Sequence, residues 1–159
     1  MDYKWDRRFL ELARLVSTWS KDPSTGVGAV LVNDQKHVVG MGYNGFAAGV
    51  IDSPERYNDR PTKYKMVVHA EQNAIIQAGH RARGSILYVY PPFGSPNICH
   101  DCAKLAIQAG IACVMGYEPD ADNPRAANWH ESLELAGVMF TEAGIHWHQV
   151  PTINGPETI

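Results

Sequence analysis

The chain has 159 residues, 45% of them hydrophobic and 19% charged, with a formal net charge of −3. These values suit one folded domain over residues 1–159; no apolar run reaches the roughly 18 residues of a membrane helix, and no basic block marks a nucleic-acid binder. Three cysteines behind a polar, charged N-terminus exclude a disulfide framework and predict a cytoplasmic protein with metal or thiol chemistry.

Taken in chain order, residues 3–19 carry Phe9, Leu12, Ala13, Leu15 and Val16 at helical spacing, and Lys21-Asp22-Pro23-Ser24 stops that helix. Residues 27–32 read as a buried strand, turned at Asn33-Asp34 into a second strand over 38–43, together a hairpin. Residues 44–65 are rich in Gly, Pro, Asp and Arg and predict an irregular functional loop. A helix follows over 69–78, ended by Gly79, then a strand over 85–90 broken by Pro91-Pro92 and Gly94. Residues 102–109 predict a helix closed by Gly110, 111–116 a strand, 124–143 a helix closed by Gly144, and 145–150 a last strand. Residues 152–159 read as an extended tail. Strand–helix–strand alternation predicts an α/β fold, a three-layer α/β/α sandwich around a mixed five-stranded sheet.

Two short elements at predicted helix starts carry chemistry: His69-Ala70-Glu71 and Cys99-His100-Asp101-Cys102. One imidazole and two thiolates give a tetrahedral zinc three protein ligands and leave one position open, as a catalytic site requires. Glu71 then supplies a carboxylate to move protons, and both it and His69 reach one site if His69 lies near the helix N-cap. A lone Cys-x-x-Cys also occurs as a redox pair, half of a zinc ribbon or two buried thiols. The remaining cysteine, Cys113, lies in an apolar run and reads as core, so a ribbon lacks its second pair. His100 is an alternative ligand to His69, but its adjacency to Cys99 makes tetrahedral geometry awkward. His146 and His148 share one strand face and read as surface residues, with a second metal as the alternative.

At these residues the chain resembles the cytidine/deoxycytidylate deaminase superfamily, and within it the deoxycytidylate deaminases. The resemblance is carried by Ser20-Lys21-Asp22-Pro23-Ser24, Val27-Gly28-Ala29, Gly42-Tyr43-Asn44-Gly45 and Lys63-Tyr64. It continues through His69-Ala70-Glu71-Gln72-Asn73-Ala74-Ile75 and from Cys102-Ala103-Lys104-Leu105 to Ile107-Gln108-Ala109-Gly110-Ile111. It implies a cytidine deaminase-like fold, one catalytic Zn2+ on His69, Cys99 and Cys102, and hydrolysis of dCMP to dUMP and ammonia. Glu71 would carry protons to N3 and to the leaving amine.

For the substrate, the resemblance points to Asn44 at the sugar or base edge, the alternative being a turn residue in Tyr43-Asn44-Gly45. Lys21, Ser24, Thr25 and Tyr64, with Arg56, Arg60 and Lys63, are candidate phosphate partners, and Ala70 lines the same site. The resemblance further implies a homo-oligomer and, around Tyr43-Asn44-Gly45, control by a nucleoside triphosphate with Mg2+. The family places proline directly before its first cysteine. Here Pro96 stands three residues ahead of Cys99 in a longer loop, which points to a pocket for 5-methyl or 5-hydroxymethyl cytosine. The rival readings are the same chemistry on another base, nucleotide or tRNA base, and a non-catalytic zinc-binding module. The negative net charge disfavours tRNA.

Overall fold

The computed structural model describes residues 2–120, 122–124 and 126–152. The predicted tail therefore lies outside the described residues beyond Thr152. Helix α1 (Lys4–Ser17) forms as predicted, with Phe9, Leu10, Ala13 and Val16 buried on one face, but Leu15, expected on the apolar face, sits one position off it and is exposed beside Arg14. Strands β1 (Gly28–Val32) and β2 (Val38–Tyr43) make the hairpin, antiparallel from Gly28–Tyr43 to Val32–Val38.

Residues 44–65 are not the irregular loop that their composition predicts. They contain β3 (Gly45–Phe46), α2 (Pro54–Asn58) and most of α3 (Arg60–Met66), which runs into β4 (Val67–Val68). The helices are built from their caps: the Ser53 side chain accepts from the Arg56 N–H ahead of Pro54, and that of Asp59 accepts from the Thr62 N–H ahead of Pro61. Proline suits a first helical turn because that turn has no use for its missing N–H. Strands β3 and β4 pair antiparallel, Gly45 with Val68 and Phe46 with Val67.

Helix α4 (Ala70–Ala78) leads through a 3-10 turn (Gly79–Ala82) to β5 (Ile86–Tyr90). Then come α5 (His100–Ala109), β6 (Cys113–Tyr117), α6 (Ala126–Ala143) and β7 (His146–Val150). The five-stranded sheet has the order β2-β1-β5-β6-β7; its first three strands are antiparallel neighbours, and β5, β6 and β7 run parallel. The sheet is thus mixed, as predicted.

Strand β1 is buried at all five residues, and its alternation divides the core. Ala29 and Leu31 pack with Leu87 and Val89 against α4, α5 and α6, where Phe140 is fully buried. Val30 and Val32 pack with Tyr88 and Met115 against α1. Three layers result, with α1 alone on one face among the described residues. Helix α4 rides close on β2 because Gly42 has no Cβ, which would collide with the Ala70 carbonyl, and this contact seats the helix start that carries the site. No helix among the described residues is long and apolar enough to cross a membrane.

Candidate metal centre

Both helix starts singled out by the sequence carry a donor side chain on the N-cap residue. His69 caps α4 with φ −73° and ψ 154°, and Cys99 caps α5 with φ −74° and ψ 162°. An N-cap residue is extended while the helix begins beyond it, so its side chain projects past the end of the helix. At α4 the Gln72 side chain accepts from the His69 N–H at 2.9 Å, completing a capping box. At α5 the cap is sulfur: Cys99 Sγ accepts from the Cys102 N–H at 3.5 Å.

The Nδ1 of His69 lies 3.4 Å from Cys99 Sγ and 3.3 Å from Cys102 Sγ. The three donor atoms fall within 4.8 Å of one another. Cys99 is 7% exposed and Cys102 fully buried, and neither forms a disulfide. One nitrogen and two sulfurs converging at buried helix N-termini fit a zinc ion by donor type and number, with one tetrahedral position beyond the three. His100 is not in this group: its Nδ1 lies 2.7 Å from Ser132 Oγ.

The electrostatics follow from crowding charge into a dry place. A hydrogen bond from Cys102, and then the histidine, hold the Cys99 thiol down at about 4. The Cys102 thiol is driven the other way, chiefly by its bond to Cys99 and by burial. The thiolate of Cys99 lifts His69 to about 9. Glu71, only 4% exposed, is raised to about 7, first by burial and then by the Cys99 charge. It is not among the three converging donors.

The other singled-out residues spread over two segments. Asn44 is 7% exposed, with both ends of its amide engaged: Oδ1 accepts from the Val27 N–H at 2.8 Å and Nδ2 donates to the Thr25 carbonyl at 3.0 Å. The N–H groups of Ser24 and Thr25 donate to Asp22 Oδ1 at 2.8 and 3.4 Å. Lys63 is buried on α3, its Nζ 3.1 Å from Asp22 Oδ1 and 3.3 Å from Ser24 Oγ. Lys21 is exposed and pairs with Asp52 at 2.8 Å. The Tyr64 hydroxyl, also exposed, accepts from Arg60 Nε at 2.9 Å, and Arg56 donates to the Ile51 carbonyl. Ala70 is fully buried as the first residue of α4. Asn44 and His69 are joined through the backbone, because the β3–β4 pairing begins one residue after the first and ends one before the second.

Residue-type reasoning passes over Asn97. It is 2% exposed, and its Nδ2 donates to the carbonyls of Val89 (3.0 Å) and Pro91 (3.2 Å) while Oδ1 accepts from the Phe93 N–H (2.6 Å). The loop that delivers Cys99 is thereby wound around one amide. Trp147 and Gln149 of β7 hold it from outside by bonds to Ser95 Oγ (3.0 Å) and the Gly94 carbonyl (3.1 Å). A polar residue between Pro96 and Ile98, two positions before a ligand cysteine, was the available signal. A cleft of about 580 Å3 is lined by this loop at Pro91, Pro92 and Phe93 together with Asp120 and Asn123, and none of the three donors lines it.

The family model for the cytidine and deoxycytidylate deaminase zinc-binding region matches residues 3–117 of the chain. A deaminase from the luxG 3′ region of Aliivibrio fischeri is 38% identical over 148 residues, covering 93% of this chain and 95% of that protein. The deoxycytidylate deaminase of Homo sapiens is 39% identical over 151 residues, covering 87% of this chain and 80% of its own. Among solved structures, a dCMP deaminase from the cyanophage S-TIM5, in complex with dCMP and dUMP, shares the fold. Its TM-score is 0.68 at 24% identity, over 94% of this chain and 99% of that one.

Proposed function

Because the chain belongs to the cytidine and deoxycytidylate deaminase family of zinc-dependent hydrolases, we propose that it deaminates a deoxycytidine monophosphate, converting dCMP to dUMP and ammonia. One observation carries the reading: His69, Cys99 and Cys102 converge within 4.8 Å, beside a buried carboxyl that is not one of them. A structural zinc site would use a fourth protein ligand and leave no reason to bury Glu71 there.

In this reading His69, Cys99 and Cys102 hold the zinc. Bound there, zinc supplies Lewis acidity that brings the pKa of water towards about 7. Glu71 takes a proton from the attacking water and delivers it to N3 of the cytosine. The water oxygen stays on C4, and Glu71 passes the second proton to the amine as the C4–N bond breaks and ammonia leaves. Its pKa near 7 suits a group that must accept and donate within one turnover. Asn44, Ser24, Thr25, Lys21 and Tyr64 bind the nucleotide and Ala70 packs at the base, on the strength of the family resemblance. The longer loop over residues 90–98 adds room for a 5-methyl or 5-hydroxymethyl group.

The test is ammonia release by zinc-loaded protein from cytosine, deoxycytidine, dCMP, 5-methyl-dCMP, 5-hydroxymethyl-dCMP and dCTP. A parallel series adds dCTP with Mg2+ to detect control by a triphosphate. The reading expects release from the monophosphates, faster from the 5-substituted ones, and loss of at least about a hundredfold in Glu71→Ala with zinc retained. Silence across the panel would overturn the substrate assignment. Zinc lost with the carboxyl would overturn the role of Glu71.

A further inference from the structure

Ser132 lies on α6, beyond the residues that the family model matches. Its hydroxyl meets the start of α5 twice. The His100 backbone N–H donates to Ser132 Oγ at 3.0 Å, and His100 Nδ1 lies 2.7 Å from the same oxygen. A hydroxyl carries one proton and two lone pairs, so it can accept the N–H and donate to the ring nitrogen at once.

That location matters because of what His100 adjoins. It is the first residue of α5, joined by its peptide bond to the N-cap Cys99, with Cys102 in the same turn. First-turn N–H groups have no carbonyl within their own helix. Cys99 Sγ takes the N–H of Cys102, and Ser132 takes that of His100. The peptide linking the first cysteine to the helix is therefore held from α6. The same oxygen engages the ring nitrogen of the second imidazole next to the site.

We propose that Ser132 is a positioning residue for the metal centre: through the backbone N–H and the ring of His100 it fixes the Cys99–His100 peptide that carries the first thiolate. The proposal rests on the reading that His69, Cys99 and Cys102 hold zinc.

The experiment measures zinc affinity by chelator competition in wild type, Ser132→Ala, His100→Ala and the double variant. Cobalt-substituted samples report thiolate ligation, and circular dichroism reports the fold. Outer partners of metal ligands typically contribute about 10–100-fold in affinity. Ser132→Ala should bind zinc roughly tenfold more weakly while two thiolates still ligate cobalt. His100→Ala should lose less, about threefold, because the ring is only one of two contacts. The double variant should match Ser132→Ala, since both changes break one junction. Unchanged affinity in Ser132→Ala, or additive losses in the double variant, overturns the proposal. If Ser132→Ala does not fold, wild-type affinity in His100→Ala overturns it instead. A wild type that binds no zinc overturns the underlying reading, a result distinct from any of these.

Discussion

Glu71 shares one turn of helix with the residue after a metal-type ligand, yet its own charge is penalised by the burial that makes the site useful. The contacts of His69 and Cys102 with Cys99 set a pH dependence for metal loading. Before ligation His69, raised to about 9, holds a proton near neutrality, and so does the Cys102 thiol, pushed upward by its neighbour. Cys99, near 4, does not. Ligation needs neutral imidazole and thiolate, so loading at pH 7.5 should release about two protons. Zinc affinity should accordingly fall as pH falls, by up to roughly a hundredfold per unit below about 9. Chelator competition at pH 6.5, 7.5 and 8.5 measures this, and a flat profile would rule it out. His69, Glu71, Cys99 and Cys102 were legible in the sequence because metal chemistry restricts residue type and helix starts restrict spacing. Asn97 and Ser132 were not, because they act by bonding to backbone, and backbone has no residue-type signature. Asn44 shows the converse, since one residue type fits both a ligand contact and the turn that its amide builds with Thr25 and Val27.

At the scale of elements, the hairpin, α1 and the strand–helix alternation followed from periodicity, whereas residues 44–65 did not. Helices of five and seven residues are too short to display an apolar period, and their caps and prolines read equally well as loop composition. Their tertiary support is a buried ion pair between α3 and the segment after α1. Lys63 and Asp22 meet at 3.1 Å with side chains 7% and 6% exposed, and Asp22 also accepts from the Ser24 N–H. Lys63 is thus neutralised within the protein. Lys63→Met would strand a buried carboxylate and should cost about 3–5 kcal/mol. Removing both partners, as Lys63→Met with Asp22→Asn, should cost less, because no unpaired charge remains. Urea denaturation of the three proteins decides this, and a double variant weaker than Lys63→Met would contradict the pairing argument.

The whole molecule divides its labour by face. Among the described residues helix α1 alone covers one side of the sheet, and the helices bearing or bracing the metal centre cover the other. The mixed five-stranded sheet and its three layers were readable from element order, because few arrangements bury one face of every element. Surface is what sequence conveys least. Ile76 on α4, Ile51 in the segment before α2, and Val138 on α6 remain 70%, 68% and 55% exposed in the isolated chain. A homo-oligomer is the expected state, as the family resemblance implies. Light scattering at micromolar concentration should give a multiple of the chain mass, and a monomer there would refute it.

The two-residue ribbon of β3 and β4 has a consequence for how such an enzyme can diverge. Gly45–Val68 and Phe46–Val67 close residues 47–66 into an excursion with a fixed neck. Closure entropy rises only slowly with the length of a loop whose ends are already joined. Residues can therefore be inserted into the exposed parts of the excursion, away from the Lys63–Asp22 pair, at small cost, while the neck hands His69 to the same place each time. The exposed parts of the excursion are free to drift, and the metal centre does not drift with them.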